Sequence, residues 1–379
     1  MVSSRFELVA PHVDRKLRQL GASIIQGGAP GILIHLRAAD DTETWTAGVG
    51  DQRLGTPINP DGSWRIACAS MMFTALVAHQ LISEGTLDFS EPVNGFLPYD
   101  FSADKGVMTI RHLLSMTSGI PNYVTDHPCG RSARNMFDYS LQRRSLVNKL
   151  ALVSGLQSMF EPGSRAYFSE TNFLVLQAII ESRTGRTLSQ EVNDRIAAPL
   201  GLHNTVLLSG TSLLPQRAAR GYMASDNPSG VFTDLGNLID MSDWYACGTG
   251  ETDIVTNASD LSMFLRALTH HDLLGPDGWT RMQETFRDAG PLDYPNSDIH
   301  QAEGSADEFP FLYGSGIGKQ LTRGGWTVGH DGDDPGFNTQ AWSSLDGTRQ
   351  LVVMINLGSL WRYREMENLL YEIIVSAFE

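Results

Sequence analysis

Strand-like segments gather at the two ends of this chain, with a long helical stretch between them, and that order limits the folds it can form. Near the start, "GILIHLR" (31–37) and "TETWTAGVG" (42–50) read as strands joined by the turn "AADD". Near the end, "WTVGHDG", "NTQAWSSL" and "QLVVMINL" read the same way. Between them, helical pieces are expected at 72–84, at "TIRHLLSMTSG" with its closing glycine, at 143–158 and at "NFLVLQAIIESRTG". A helix is also expected at each end. The first is amphipathic through Phe6, Val9, Val13, Leu17 and Leu20, and the last carries Leu369, Leu370, Ile373 and Ile374. The chain shows neither an internal repeat nor a low-complexity tract. The economical fold is α/β: a mainly antiparallel sheet built from both chain ends and flanked by helices, with a mostly helical domain inserted. Its parts are 1–66, the inserted 67–239, and 240–379, with a site expected at the seam.

Composition narrows the partners. With 379 residues the chain can bury a large core, and its 41% hydrophobic and 19% charged content is that of a globular protein. A net charge of −15 argues against nucleic acid and against an anionic membrane surface. The first twenty residues lack a signal-peptide pattern, and no segment approaches the ~20 apolar residues of a membrane span. Three cysteines, Cys68, Cys129 and Cys247, make an odd number without framework spacing. A reducing cytoplasm is the expected compartment.

The stretch "RIACASMMFTALVAHQLISEGTLDF" (65–89) reads as a strand turning into a helix that opens on Cys68. Ser70 follows two residues on, about 200° round a helix, and is a poorer nucleophile candidate. Other polar runs point to no chemistry. His270, His271 and Asp272 sit at a helix end, where adjacency does not supply ligand geometry. "DGDDPG" lacks EF-hand spacing, and "GTGET" lacks the context of a phosphate loop. Neither metal nor cofactor is expected.

Five ordered segments together resemble the serine β-lactamase-like and penicillin-binding-protein-like hydrolases, especially the class C β-lactamase and esterase branch. They are "GAPGILIHL", "RIACASMMFTALVAHQLISEGTLDFSEPVNGFLP", "TIRHLLSMTSGIPNY", "FEPGSRAYFSETNFLVLQAIIESRTGRTL" and "VGHDGDDPGFNTQAW". The resemblance implies a β-lactamase/transpeptidase-like fold and covalent acyl transfer. In that family a serine attacks a carbonyl and a lysine three residues later, on the same helix face, helps remove its proton. A Y-x-N pair and a K-T-G or H-x-G strand complete the site. Here "MFTAL" sets a register that puts Cys68 at the serine position and Met71 at the lysine position. The "EPG" turn and "TNFLVLQAII" put Phe168 at the tyrosine and Glu170 at the asparagine. A register shifted by one residue would give Tyr167 the tyrosine role but misplace its neighbours. His330, Asp331 and Gly332 keep the third motif.

A thiol is intrinsically nucleophilic, so cysteine tolerates loss of the lysine better than serine would. Apolar surroundings would raise its pKa, while the positive end of its helix would favour the thiolate. His330 is one expected base. Glu170 is a second acid or base, or the group that orients His330 in a Cys-His-Glu set. The resemblance implies an oxyanion hole from the backbone N–H groups of Cys68 and Asp333. Cys68, Glu170 and His330 are therefore the expected catalytic residues. Met71, Phe168, Asp331, Gly332 and Asp333 are expected to line the substrate pocket.

Three functions fit. The first is a cysteine-dependent hydrolase or transacylase acting on an ester, thioester or amide of a small specialised metabolite, such as an acyl thioester. The second is a cyclase or isomerase using Glu170 and His330 as an acid–base pair. The third is a silent ligand- or partner-binding protein, with Cys68 a small buried residue, Met71 and Phe168 filling space and His330 structural.

Overall fold

A computed structural model describes residues 6–93, 96, 106–124, 145–209, 214–215, 218–224, 238–242, 249–284, 292–293, 311–358 and 364–379. Its main sheet has eight antiparallel strands. In spatial order they are Phe311–Tyr313, Gly318–Thr322, Gly325–Asp334, Phe337–Ser344, Arg349–Ile355, Gly31–Ala38, Asp41–Asp51 and Thr56–Pro57. The two chain ends meet in its middle, where Ile32 pairs with Ile355 and Leu36 with Leu351.

The strand Gly31–Ala38 is buried along nearly its whole length because both faces of the sheet are covered. Its pleat sends alternate residues to opposite layers. Ile32, Ile34 and Leu36 pack with Leu17 and Ile24 of the first helix and with Leu370 and Ile373 of the last. Leu33 faces the other way, into the core it shares with Phe73, Phe173 and Phe264. His35, also on that second face, is satisfied by Thr44 Oγ1 at 2.8 Å and Ser262 Oγ at 3.1 Å.

Three local departures from the sequence expectation have physical causes. The first helix runs Pro11–Gln26, with proline in its opening turn, so Phe6 and Val9 lie ahead of it although both are buried. The helix expected at 143–158 is only Leu146–Ala151, and Gly155 at φ 85° lies in the turn beyond it. The strand Tyr222–Ala224, within the stretch assigned to the helical part, packs on the sheet instead. Ala224 joins Trp342 and Leu351, and the Tyr222 N–H donates to the carbonyls of Gly336 and Asn356.

The seam is made where the strand Gly325–Asp334 crosses the 3₁₀ turn Ala67–Ser70, which leads into the helix Met71–Ser83. A Cβ placed on Gly332 would lie 2.2 Å from the Ile66 carbonyl oxygen and 3.0 Å from both Ala67 Cβ and Ala69 N. Only glycine permits that approach. We therefore predict that Gly332→Ala lowers stability by about 1–3 kcal/mol, the usual cost of overpacking. A urea-unfolding midpoint indistinguishable from wild type would show that the seam relaxes freely.

Candidate active site

Cys68 stands on the 3₁₀ turn and is 7% exposed. The preceding residue, Ala67, has φ 50°, a left-handed conformation that costs an alanine roughly 1–2 kcal/mol. Such strain persists only where packing over-determines it, and Gly332 supplies that packing. The Cys68 thiol donates to Glu170 Oε1 at 3.4 Å. Glu170 precedes the helix Thr171–Thr184 and is buried, and its Oε2 has no hydrogen-bond partner among the described residues.

The pair's electrostatics follow from burial and surplus negative charge. Burial first, then the charge of Glu251, pushes the Glu170 carboxyl up to about 7, against the downward pull of the Cys68 hydrogen bond and of Lys149. Burial also drives the Cys68 thiol well above its ordinary value, and Glu170, Asp334 and Asp331 add to the rise. The favourable helix N-terminus expected from the sequence is thus outweighed. At neutral pH the resting pair is a thiol beside a carboxyl group near its midpoint.

His330 is buried on the crossing strand. Its Nδ1 lies 2.5 Å from the Asp331 carbonyl oxygen, and its Nε2 lies 3.1 Å from the Tyr313 hydroxyl. A carbonyl can only accept, so Nδ1 carries the proton and Nε2 accepts from the phenol. Burial lowers the imidazole pKa, which keeps this tautomer neutral. Asp331 Oδ1 lies 3.5 Å from Nδ1 on a side chain that is 46% exposed. With both ring nitrogens so engaged, Glu170 does not orient His330: the Cys-His-Glu arrangement is replaced by a Cys68–Glu170 pair and a separate Tyr313–His330 pair.

Met71 is fully buried in the core shared with Cys68, and Phe168 packs partly buried against the same core. Asp333 lies opposite Asn338 in the sheet. Tyr167 lies in a short strand opposite Asp293, and its N–H donates to the Met116 carbonyl. Ser70 accepts from the Ile254 N–H at 3.2 Å, which ties its hydroxyl into the scaffold. Cys129 and Cys247 fall outside the described residues. Among the described residues no group of three histidine, cysteine or acidic side chains is placed to hold a metal ion, and no helix is long and apolar enough to cross a membrane.

Two features escaped the sequence. Tyr313 reaches His330 from a strand two places away in the sheet, past Gly318, and "YGSGIG" offers only its glycines as a hint of the space. A buried ion pair lies behind Glu170. Lys149 Nζ donates to Glu251 Oε1 at 2.6 Å and to Thr249 Oγ1 at 2.7 Å, and the Tyr123 hydroxyl reaches the same Glu251 oxygen at 3.0 Å. Lys149 matches no motif, so nothing in its spacing marks it.

The raised carboxyl makes a stability prediction. Glu170 titrates near 4.5 when unfolded and near 7 when folded, so its protonated form favours the native state. That contribution is complete below pH 4.5 and is lost as pH rises through 7, a change of about 3 kcal/mol. Cys68 titrates above this window and does not blur it. Glu170→Gln should accordingly gain stability on wild type by about that amount between pH 4.5 and 8, measured by urea unfolding. A difference independent of pH would contradict the raised carboxyl.

The fold has close counterparts among solved structures. A D-stereospecific amidohydrolase from Streptomyces sp. superposes with a TM-score of 0.79 at 24% identity, over 96% of this chain and 98% of that one. In sequence the chain is 27% identical over 318 residues to a D-aminopeptidase of Brucella anthropi, covering 82% of this chain and 52% of the relative. It is 26% identical over 324 residues to the unguisins hydrolase ungD' of Aspergillus campestris, covering 82% and 55%. The chain thus spans about half the length of these curated relatives. The Beta-lactamase family model matches residues 13–373, a range that contains every strand of the main sheet, and the chain belongs to that family.

Proposed function

We propose that this protein is a cysteine-dependent acyl-transfer enzyme, a hydrolase or transacylase acting on an ester, thioester or amide of a small specialised metabolite. The observation that carries this reading is the buried hydrogen bond from the Cys68 thiol to Glu170. Glu170 takes the thiol proton as Sγ attacks the acyl carbon, then returns it to the departing oxygen, sulfur or nitrogen. A carboxyl group with a pKa near 7 is a far better base than an ordinary glutamate, and it is still ionised often enough to act at neutral pH. The family resemblance assigns the oxyanion to the backbone N–H groups of Cys68 and Asp333. The names of the two relatives, an aminopeptidase and a hydrolase, agree with chemistry at an acyl carbon.

A second reading, a cyclase or isomerase, draws on the same raised Glu170 used as an acid. The two separate by pH and by substitution. With Glu170 as base, kcat/KM rises as pH increases through about 7; with Glu170 as acid it falls over the same interval. We expect the rising limb, to be lost in Glu170→Gln along with ~10²–10⁴ of rate. Cys68→Ala should abolish turnover, and Cys68→Ser should lose most of it, because a hydroxyl releases its proton less readily than a thiol. Near-native turnover in Cys68→Ala would make the thiol a bystander and favour the acid–base reading. A wild type that binds acyl donors without turning any over would leave the silent binding protein.

A further inference from the structure

The geometry points to a division of labour between the two buried pairs: Glu170 serves acylation, and Tyr313 with His330 forms a proton relay that activates water for deacylation. This rests on the acyl-transfer reading above; it adds Tyr313, which no motif assigns, and gives His330 a role in deacylation rather than in activating the thiol.

The direction of the hydrogen bonds gives the relay its polarity. The Nδ1 proton of His330 is committed to the Asp331 carbonyl, so Nε2 offers its lone pair to the Tyr313 hydroxyl. The Tyr313 proton therefore points at the imidazole, and its oxygen is left with lone pairs for a proton arriving from elsewhere. The rings meet edge to face, with centroids 5.6 Å apart, in a buried setting that fixes the pair. Asp331, whose carboxylate lies 3.5 Å from Nδ1, stabilises the imidazolium that forms when the relay is loaded. The phenol also lies within electrostatic reach of the nucleophile: a charge on Cys68 raises it. Glu170 meets Cys68 from the head of the helix Thr171–Thr184, while His330 stands two residues before Gly332, whose backbone packs against the Ile66–Ala69 turn that carries Cys68.

The step balances. In the acyl-enzyme, Cys68 Sγ is bonded to the acyl carbon, and Glu170, having passed its proton to the first leaving group, is a carboxylate. A water gives one proton to Tyr313 Oη while the Tyr313 proton moves to His330 Nε2. The hydroxide so formed adds to the acyl carbon, the C–S bond breaks, and the carboxylic acid leaves. The imidazolium proton then returns through Tyr313 to the departing thiolate, which restores the resting enzyme.

The test is burst kinetics of the full-length protein with p-nitrophenyl acetate, with intact-mass detection of acetyl-enzyme. In Tyr313→Phe the burst should keep its rate within about threefold, while steady-state turnover falls by ~10² and acetyl-Cys68 accumulates. His330→Gln should behave alike, and the double variant should be no worse than either, because the two act as one unit. Hydroxylamine, a nucleophile that needs no base, should restore turnover to Tyr313→Phe; a merely damaged site would not respond. Deacylation at the wild-type rate in Tyr313→Phe, or a burst slowed as much as turnover, overturns the relay and leaves the acyl-transfer reading standing. A burst that survives in Cys68→Ala overturns that reading instead.

Discussion

The backbone of Gly332 lies so close to the Ile66–Ala69 turn that a single added methyl would meet the Ile66 carbonyl oxygen at 2.2 Å. That approach ties the sheet to the start of the helical domain. It holds Ala67 in a left-handed conformation that alanine would otherwise avoid, and so fixes where the Cys68 thiol is presented. From the same strand, His330 enters two residues earlier and Asp334 two residues later, both buried. The strand itself is positioned by the meeting of the chain ends, since its neighbour Phe337–Ser344 pairs with Arg349–Ile355, which pairs in turn with Gly31–Ala38. A long path through the chain is thereby converted into a local contact.

Around this contact, among the described residues, buried carboxylates outnumber buried cations. Glu170, Glu251, Asp253 and Asp334 are buried, with Arg65 and Lys149 as the buried cations beside them. Lys149 is taken by Glu251 at 2.6 Å, and Arg65 stands 3.8 Å from Asp253. The remaining two carboxyls resist ionisation: Glu170 titrates near 7, and Asp334 is driven well above the usual carboxylate range, chiefly by burial. Burying an under-compensated acid costs stability. A perturbed carboxyl hydrogen-bonded to a thiol at a domain seam is the kind of arrangement that catalytic sites keep despite that cost.

The fold was legible because its signals are local and repeated. Alternating and continuous apolar runs at both ends announced the strands, and the "MFTAL" and "TNFLVLQAII" helices carried their own registers. Cys68 and Glu170 were legible for the same reason, each standing at the head of one of those helices. What stayed hidden are partnerships that only tertiary packing creates. Tyr313 and His330 are 17 residues apart on different strands, and Lys149 and Glu251 are 102 apart. Sequence puts His330 first as the base and Glu170 second; the hydrogen bonds instead place Glu170 against the thiol and His330 against Tyr313. The start of the first helix is hidden for a simpler reason: Phe6 and Val9 are buried like helix residues, but the helix opens only at Pro11.

The proposed chemistry requires Cys68 to form a covalent bond to the acyl group. The most direct measurement is the mass of the intact protein, quenched rapidly after mixing with an activated acyl thioester and then mapped by peptide. One added acyl mass is expected on the peptide that contains Cys68, and none in Cys68→Ala. Product formation with no acyl mass on that peptide at any quench time, or with the acyl group on another residue, would contradict it.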